Sequence, residues 1–235
     1  MTSDITLYSW PTPNGVKASI TLEELGLSYK TEPINISTNL QKEEWFLKIN
    51  PNGRIPAIKD GEQRVFESGA IMLYLTDKYD TEHKISYPHG TPEYYEELAW
   101  LMFQMGGVGP MQGQANHFRL FANVRSDYGI KRYIDETKRL YSVLDSRLKE
   151  SPYLAGPKYT IADIANYSWV RSGPGLEIDL GEFPALKKWK EEIDEREAVK
   201  KGLNVPKRDT TPEQIAAFFK SAREKIDAMT NTDKH

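Results

Sequence analysis

Glu67 and Ser68, which stand at the start of a predicted helix, have side chains suited to holding a small charged ligand. Ser68 is a candidate helix N-cap, and the backbone N–H groups at a helix start attract a carboxylate. A glutamate beside them could hold an ammonium group. The pair therefore indicates a site for a zwitterion, although a plain helix cap would give the same pattern.

Arg54-Ile55-Pro56, before a predicted β-hairpin, is the second candidate feature. Proline at the opening of a strand fits an edge position or a cis peptide bond. A cis bond would turn the N–H and C=O of Ile55 outward, where they could pair with the backbone of a bound peptide. From these residues alone, both placements of Pro56 remain open.

Several other kinds of chemistry are excluded or disfavoured. The sequence has zero cysteines, so protein disulfides, thiolate-bound metals and a cysteine nucleophile are impossible. We expect no metal site, because the histidines at 83, 89, 117 and 235 lack metal-ligand spacing. The glycine-rich segment 106–110 follows a predicted helix rather than a strand, so we interpret it as a helix break or a tight packing point.

Composition fits a globular protein of one or two domains. The chain has 235 residues and a formal net charge of −3, which gives no field to attract nucleic acid. No window approaches the roughly 20 apolar residues that a membrane helix needs, so we expect no membrane association. The first residues lack a charged leader before an apolar run, and we therefore expect a cytoplasmic protein.

Residues 1–80 alternate between strand and helix patterns, and these elements would position both candidate features. The predicted strands are 5–8, 29–36, 55–58 and 64–66, and the predicted helices are 16–25, 43–49 and 68–79. A parallel βαβ half followed by an antiparallel hairpin predicts a mixed four-stranded sheet.

Beyond a polar linker at 81–92, residues 93–235 predict an all-helical domain. Predicted helices cover 95–103, 130–148 and 184–193, and another begins at the capping-box-like Thr160. An extension helix begins at about 211, and its apolar stripe either packs on the body or binds a partner. The fold class is therefore α/β plus all-α.

Four motifs together resemble the glutathione transferase superfamily. They are TPNGxK at 12–17, NPNGRIPAI at 50–58, ESGAIMLYL at 67–75 and YTIADIA at 159–165. Gly-Pro-Met-x-Gly-Gln at 109–114 narrows the resemblance to the subgroup that contains a fungal nitrogen regulator and bacterial disulfide reductases. The resemblance spans about residues 4–205. It implies a thioredoxin-like domain, a helical bundle domain, a homodimer, and glutathione as co-substrate.

The resemblance also implies roles for individual residues in glutathione binding. Ile55, before an expected cis-Pro56, should pair with the cysteinyl part, and Arg54 adjoins this position. Glu67 and Ser68 should hold the γ-glutamyl ammonium and carboxylate groups.

Other matched positions complete the implied site. Gln41 matches a contact to the glycyl end, and Arg132 matches an arginine that reaches the neighbouring subunit's site. Asn14 matches the asparagine nearest the sulfur, with Thr12 beside it. Asparagine cannot take a proton, so it would stabilise thiolate without acting as a base. Tyr8 on the first strand is an alternative thiol donor, or a core residue.

The resemblance implies an enzyme that uses glutathione thiolate on a small disulfide or electrophile. The alternative is a non-catalytic glutathione-binding protein with a regulatory or ligand-carrying role. A pocket for the second substrate would lie between the domains, around Trp10, Phe103, Met111 and His117.

Overall fold

A mixed four-stranded sheet forms the first half of the chain in the computed structural model, which describes residues 4–207 and 210–233. Its strands are β1 (Ile5–Ser9), β2 (Tyr29–Pro33), β3 (Ala57–Asp60) and β4 (Gln63–Phe66), in the spatial order β2-β1-β3-β4. β1 pairs in parallel with β2 and antiparallel with β3, and β3 pairs antiparallel with β4. The predicted sheet is confirmed.

All four strands differ from the predicted ranges by one or more residues at an end, and the largest differences are in β2 and β3. β2 ends at Pro33, next to Ile34, whose N–H makes a last bond to the Ser9 carbonyl at 2.9 Å. The Asn35 side chain then accepts from the Ser37 N–H at the start of a short turn that leads away from the sheet. β3 begins at Ala57, after the Ile55-Pro56 bond.

The described residues of this half form three α-helices: α1 (Gly15–Glu24), α2 (Glu44–Leu47) and α3 (Ser68–Tyr79). α1 ends before Gly26, whose φ of +63° lies in the left-handed region that favours glycine. Apolar side chains of β1, α1, β3 and α3 form a buried core: Ile5, Leu7, Ala18, Leu22, Ile58, Ile71 and Leu75. The period-2 burial of β1 and the helical spacing in α3 create this layer.

The second half of the chain is helical, and its described residues form no β-strand. Its helices are α4 (Pro92–Phe103), α5 (Gly109–Asn116), α6 (Asp127–Glu150), α7 (Ile161–Val170), α8 (Pro184–Asp194), α9 (Glu197–Gly202) and α10 (Pro212–Asp227). α7 is buried along its whole length and begins at the predicted Thr160–Asp163 capping box. Within the part of the chain that the structure describes, no helix is long and apolar enough to cross a membrane.

The segment predicted as a polar linker, 81–92, is a fixed connection. The Asp80 carboxylate accepts from the N–H groups of Lys84 at 2.7 Å and Ile85 at 2.9 Å. Lys158 donates to two carbonyls of the segment, and the Ile85 side chain is buried in the helical core. The polar residues here therefore hold the two halves together.

The glycine-rich segment 106–110 is a packing point and not a break. Residues Gln104–Val108 form a π-helical turn that joins α4 to α5 without interruption. A Cβ at Gly107 would lie 3.3 Å from the Leu140 side chain. The small residues therefore allow α6 to approach closely.

The extension helix α10 packs on the body. Arg119 donates to the Asp227 carboxylate at 2.7 Å, and the Ile226 side chain is buried. Phe219 is partly buried against the helical core, whereas Phe218 remains 54% exposed.

Candidate functional site

A cleft of about 520 Å³ lies where the first half of the chain faces α7 and the π-helical turn. It is lined by Thr12, Pro13, Asn14, Ile36, Gln41, Asn50, Asn52, Arg54, Ile55, Pro56, Glu67, Ser68, Met105 and Trp169. The structure therefore brings together every predicted ligand residue except Arg132.

The turn before β3 forms one wall of this cleft. The Asn50 side-chain amide donates to the Arg54 carbonyl at 2.7 Å and accepts from the Asn52 N–H at 3.0 Å. Gly53 has φ +59°, and a Cβ there would lie 2.9 Å from the Gln41 carbonyl oxygen, so the close approach requires glycine.

The Ile55-Pro56 peptide bond is cis, as the family resemblance implied. The ladders of β3 with β1 and β4 both begin at Ala57. The backbone of Ile55 therefore lies at the cleft, outside both strand ladders.

The Glu67-Ser68 pair differs in one detail from the prediction: Glu67, and not Ser68, is the N-cap of α3. The Glu67 carbonyl accepts the first helical bond, from Ile71 N–H at 2.9 Å, and Ser68 is already helical. Glu67 has φ +71°, a conformation that costs a non-glycine residue about 1 kcal/mol or more and that concentrates at functional sites. The turn leaves the Glu67 side chain exposed at the cleft, above the start of α3.

Lys17 lies behind Ser68 and was not predicted to take part. Its side chain is fully buried, and Nζ donates to Ser68 Oγ at 3.2 Å and to Gln104 Oε1. Burial lowers the pKa of Lys17 to about 7, and the negative charge of Glu67 opposes that shift. An ionisable group thus stands immediately beneath the predicted carboxylate site.

Asn14 is fixed by a hydrogen bond from the helical half of the chain. The Trp169 indole Nε1 donates to Asn14 Oδ1 at 2.9 Å, a contact that was not predicted. Thr12 Oγ1 accepts from the Gly15 N–H at 3.1 Å and so caps the first turn of α1. A Cβ at Gly15 would lie 2.0 Å from the Trp10 carbonyl oxygen, so this turn requires glycine.

Tyr8 does not line the cleft. Its ring packs near Trp45 and Phe46, with centroid distances of 6.3 and 6.2 Å. Desolvation and then the charge of Glu32 raise the pKa of its hydroxyl. The structure therefore favours the core role over the thiol-donor role.

The four residues expected around a second-substrate pocket do not line the cleft either. Phe103 and Met111 pack against the helical core, and Trp10 and His117 are also absent from the lining. The helical half contributes Met105 and Trp169 instead. Met105 sits in the π-helical turn, 3.2 Å from the Cβ position of Gly69 at the start of α3.

Arg132 lies outside the cleft of its own chain. It is exposed on α6, in a surface depression that is also lined by Tyr128, Lys131, Asp135, Glu136 and Arg139. Its guanidinium carbon lies 6.0 Å from the Tyr133 ring centroid. The structure therefore does not bring Arg132 together with the other predicted ligand residues.

A thioredoxin-like sheet with a cis-proline at its ligand cleft, joined to a helical bundle, defines a class of fold. Within that class, the glutathione S-transferase N-terminal domain matches residues 3–77 and the glutathione S-transferase C-terminal domain matches residues 129–197. The chain belongs to the glutathione S-transferase family, as its motifs predicted.

Similar proteins come from bacteria and fungi. The disulfide-bond oxidoreductase YfcG of Escherichia coli is 44% identical over 206 residues, which are 85% of this chain and 94% of the relative. A glutathione transferase homologue from Lodderomyces elongisporus, solved with two glutathione molecules per subunit, is 47% identical with a TM-score of 0.84. The match covers 86% of this chain and 99% of that one. The transferase URE2P6 of Phanerochaete chrysosporium, solved with oxidised glutathione, is 39% identical with a TM-score of 0.83 and covers 86% and 96% of the two chains.

Proposed function

We propose that this protein is an enzyme that binds glutathione and uses its thiolate on small disulfides or electrophiles. The observation that carries the proposal is the position of Asn14 in the same cleft as the Glu67-Ser68 pair and the Ile55 backbone. Binding groups for a γ-glutamyl peptide and a hydrogen-bond donor for its sulfur are thus present together, in a chain without cysteine.

Glutathione offers a group for each part of the cleft. Its ammonium group suits the Glu67 carboxylate, and its γ-glutamyl carboxylate suits Ser68 and the free N–H groups of the α3 N-terminus. The Ile55 backbone pairs with the cysteinyl residue. Gln41 and Arg54 line the cleft on the side of the glycyl carboxylate, and Gln41 Oε1 is buried without a hydrogen-bond partner among the described residues.

The interactions of Asn14 and the α1 N-terminus with the sulfur are strong enough to stabilise the thiolate of bound glutathione. A free thiol has a pKa of about 8.5, and lowering it by one to two units takes about 1.4–2.7 kcal/mol. One hydrogen bond from the Asn14 amide to a charged sulfur contributes about 1.5–3 kcal/mol. The N-terminus of α1, which begins directly after Asn14, adds about 0.3–1 kcal/mol.

Disulfide reduction then proceeds by two exchanges. The bound glutathione thiolate attacks one sulfur of the substrate disulfide, which breaks the S–S bond, forms a mixed disulfide and releases a thiolate that takes a proton from water. A second glutathione thiolate attacks the glutathione sulfur of the mixed disulfide. The substrate leaves as two thiols, and two glutathione molecules leave as one disulfide.

The working unit in this proposal is a homodimer in the cytoplasm. The exposure of Arg132 on α6, away from its own cleft, supports a role at the partner's site. Arginine suits that role because its planar fork can grip a carboxylate and stays charged. A reducing compartment supplies the reduced glutathione that the chemistry consumes.

The test is steady-state turnover of hydroxyethyl disulfide with reduced glutathione, in parallel with calorimetric binding of S-methylglutathione, which cannot react. We expect saturable binding and turnover well above the rate without protein. Binding without turnover of a disulfide or an electrophile would favour the non-catalytic alternative. An absence of binding would overturn the site assignment itself.

A further inference from the structure

The indole of Trp169 sits in a space made by two glycines of α5. A Cβ at Gly109 would lie 3.2 Å from Trp169 Nε1, and a Cβ at Gly113 would lie 3.5 Å from the far edge of the ring. Trp169 is only 8% exposed. Gly109 and Gly113 therefore leave room for this ring at the cleft.

A chain of hydrogen bonds holds Trp169 in place. The Tyr141 hydroxyl donates to Gln112 Oε1, and Gln112 Nε2 donates to the Trp169 carbonyl, both at 2.9 Å. Tyr141 and Gln112 are fully buried. The chain ends where Trp169 Nε1 donates to Asn14 Oδ1.

The chemistry of this last bond fixes the orientation of the Asn14 amide. An indole N–H can only donate, so its partner must be the carbonyl oxygen of Asn14. The amide nitrogen, Asn14 Nδ2, is then directed away from Trp169, and it donates to no other residue that the structure describes. The flipped amide would set its NH₂ against the indole N–H and would present oxygen to a thiolate, which repels it.

We propose that Trp169 is a positioning residue that keeps the Nδ2 donor of Asn14 aimed at the glutathione sulfur. The proposal rests on the proposed function, because it concerns the same thiolate. It assigns a role in the chemistry to a residue of the helical half. Trp169 acts only through Asn14, so its removal should affect the ionisation of the bound thiol more than the affinity for glutathione.

The principal experiment is Trp169→Phe, which removes the N–H and keeps an aromatic ring. The readout is the pKa of the bound glutathione thiol, followed by the ultraviolet absorbance of thiolate against pH. We expect that pKa to rise and kcat to fall about tenfold, with KM for glutathione little changed. Trp100→Phe, which alters a partly buried tryptophan outside the cleft, is the matched control and should leave the thiol pKa unchanged.

A double-mutant cycle separates positioning from a general packing effect. In an Asn14→Ala background, Trp169→Phe should cause no further rise in the thiol pKa. An equal rise in both backgrounds would overturn the proposal, as would an unchanged pKa in Trp169→Phe alone.

Asn14→Asp provides a test that does not depend on the folding of a Trp169 variant. Aspartate can still accept from the indole N–H, but it presents an oxygen to the sulfur. The thiol pKa of glutathione bound to Asn14→Asp should therefore exceed that of glutathione bound to Asn14→Ala. A lower or equal pKa would contradict the orientation argument. If wild-type protein itself fails to lower the thiol pKa, the proposed function fails and the role of Trp169 fails with it. A wild-type effect that survives Trp169→Phe overturns the positioning role alone.

Discussion

The two ends of the cleft carry different kinds of chemical groups. The anchor end, made of Glu67, Ser68 and Lys17, combines a strained backbone, a helix N-terminus and a buried amine. The sulfur end has a neutral amide, Asn14, whose direction is set by Trp169. Charge gives affinity for a charged ligand, whereas an oriented dipole can favour one ionisation state of a neutral thiol. Substitutions at the two ends should therefore separate into effects on KM and effects on kcat.

The largest effect on activity should come from the sulfur end. Asn14→Ala should lower turnover at least tenfold while the fold remains intact, because it removes one hydrogen bond to the thiolate. A tenfold loss corresponds to about 1.4 kcal/mol, within the range for such a bond. Steady-state kinetics of the purified variant is the measurement, and Asn116→Ala on α5, outside the cleft, is the matched control. An unchanged kcat/KM would exclude Asn14 as the group that stabilises the thiolate and would make Thr12 the next candidate.

A second test asks whether each site is completed by Arg132 of another chain. In a mixture of Arg132→Ala and Asn14→Ala chains, a mixed dimer should regain activity toward half of the wild-type value. Both defects then fall in one site, and the other site is intact. The measurement is turnover after the two variant homodimers have been unfolded and refolded together.

No recovery in the mixture would mean that Arg132 serves its own chain or none. A monomeric mass by light scattering, at the protein concentration of the assay, would show that the protein is not a dimer and that Arg132 cannot serve a partner's site. Refolded mixtures of each variant with itself provide the baseline.

At the anchor end itself, Glu67→Gln should raise KM for glutathione severalfold with little change in kcat. The substitution removes the charge that faces the ligand ammonium but leaves the sulfur end untouched. Calorimetric affinity for S-methylglutathione should weaken in parallel. A fall in kcat alone would show that Glu67 does not act as an anchor.

Lys17→Met should have the smallest effect on turnover. Its main effect should be on how the free energy of unfolding depends on pH. The pKa of Lys17 falls from an ordinary 10.5 to about 7 in the folded protein, so the unfolded chain binds more protons between these values. The free energy of unfolding should therefore rise with pH across this window, with a slope of up to about 1.4 kcal/mol per pH unit. Lys17→Met should lack this contribution. Urea unfolding of both proteins between pH 7 and 9 checks the difference, and parallel pH profiles would contradict it.

Most of the site residues that the sequence predicted lie in short contiguous motifs. Asn50–Pro56 and Glu67-Ser68 belong to single turns, where local backbone chemistry decides the conformation. The fold was predictable for a similar reason, because apolar periodicity defines helices such as α3 without knowledge of distant contacts.

The residues that were missed, Lys17, Met105 and Trp169, depend on contacts across the chain. Asn14 and Trp169 are 155 positions apart, and Lys17 and Gln104 are 87 positions apart. Trp169 lies in a helix that is buried along its whole length, so its position in the helix indicates only burial. The close approach of the two halves, through Met105 and Gly69, is decided by tertiary packing that no local pattern specifies.

The central claim is that Asn14 Nδ2 meets the glutathione sulfur in a cleft whose other end holds the γ-glutamyl group. A crystal structure of the protein with oxidised glutathione tests it most directly. We predict a disulfide sulfur beside Asn14, backbone pairing with Ile55, and the γ-glutamyl group on Glu67 and Ser68. A ligand whose sulfur lies next to Tyr8, or one bound outside this cleft, would contradict the account.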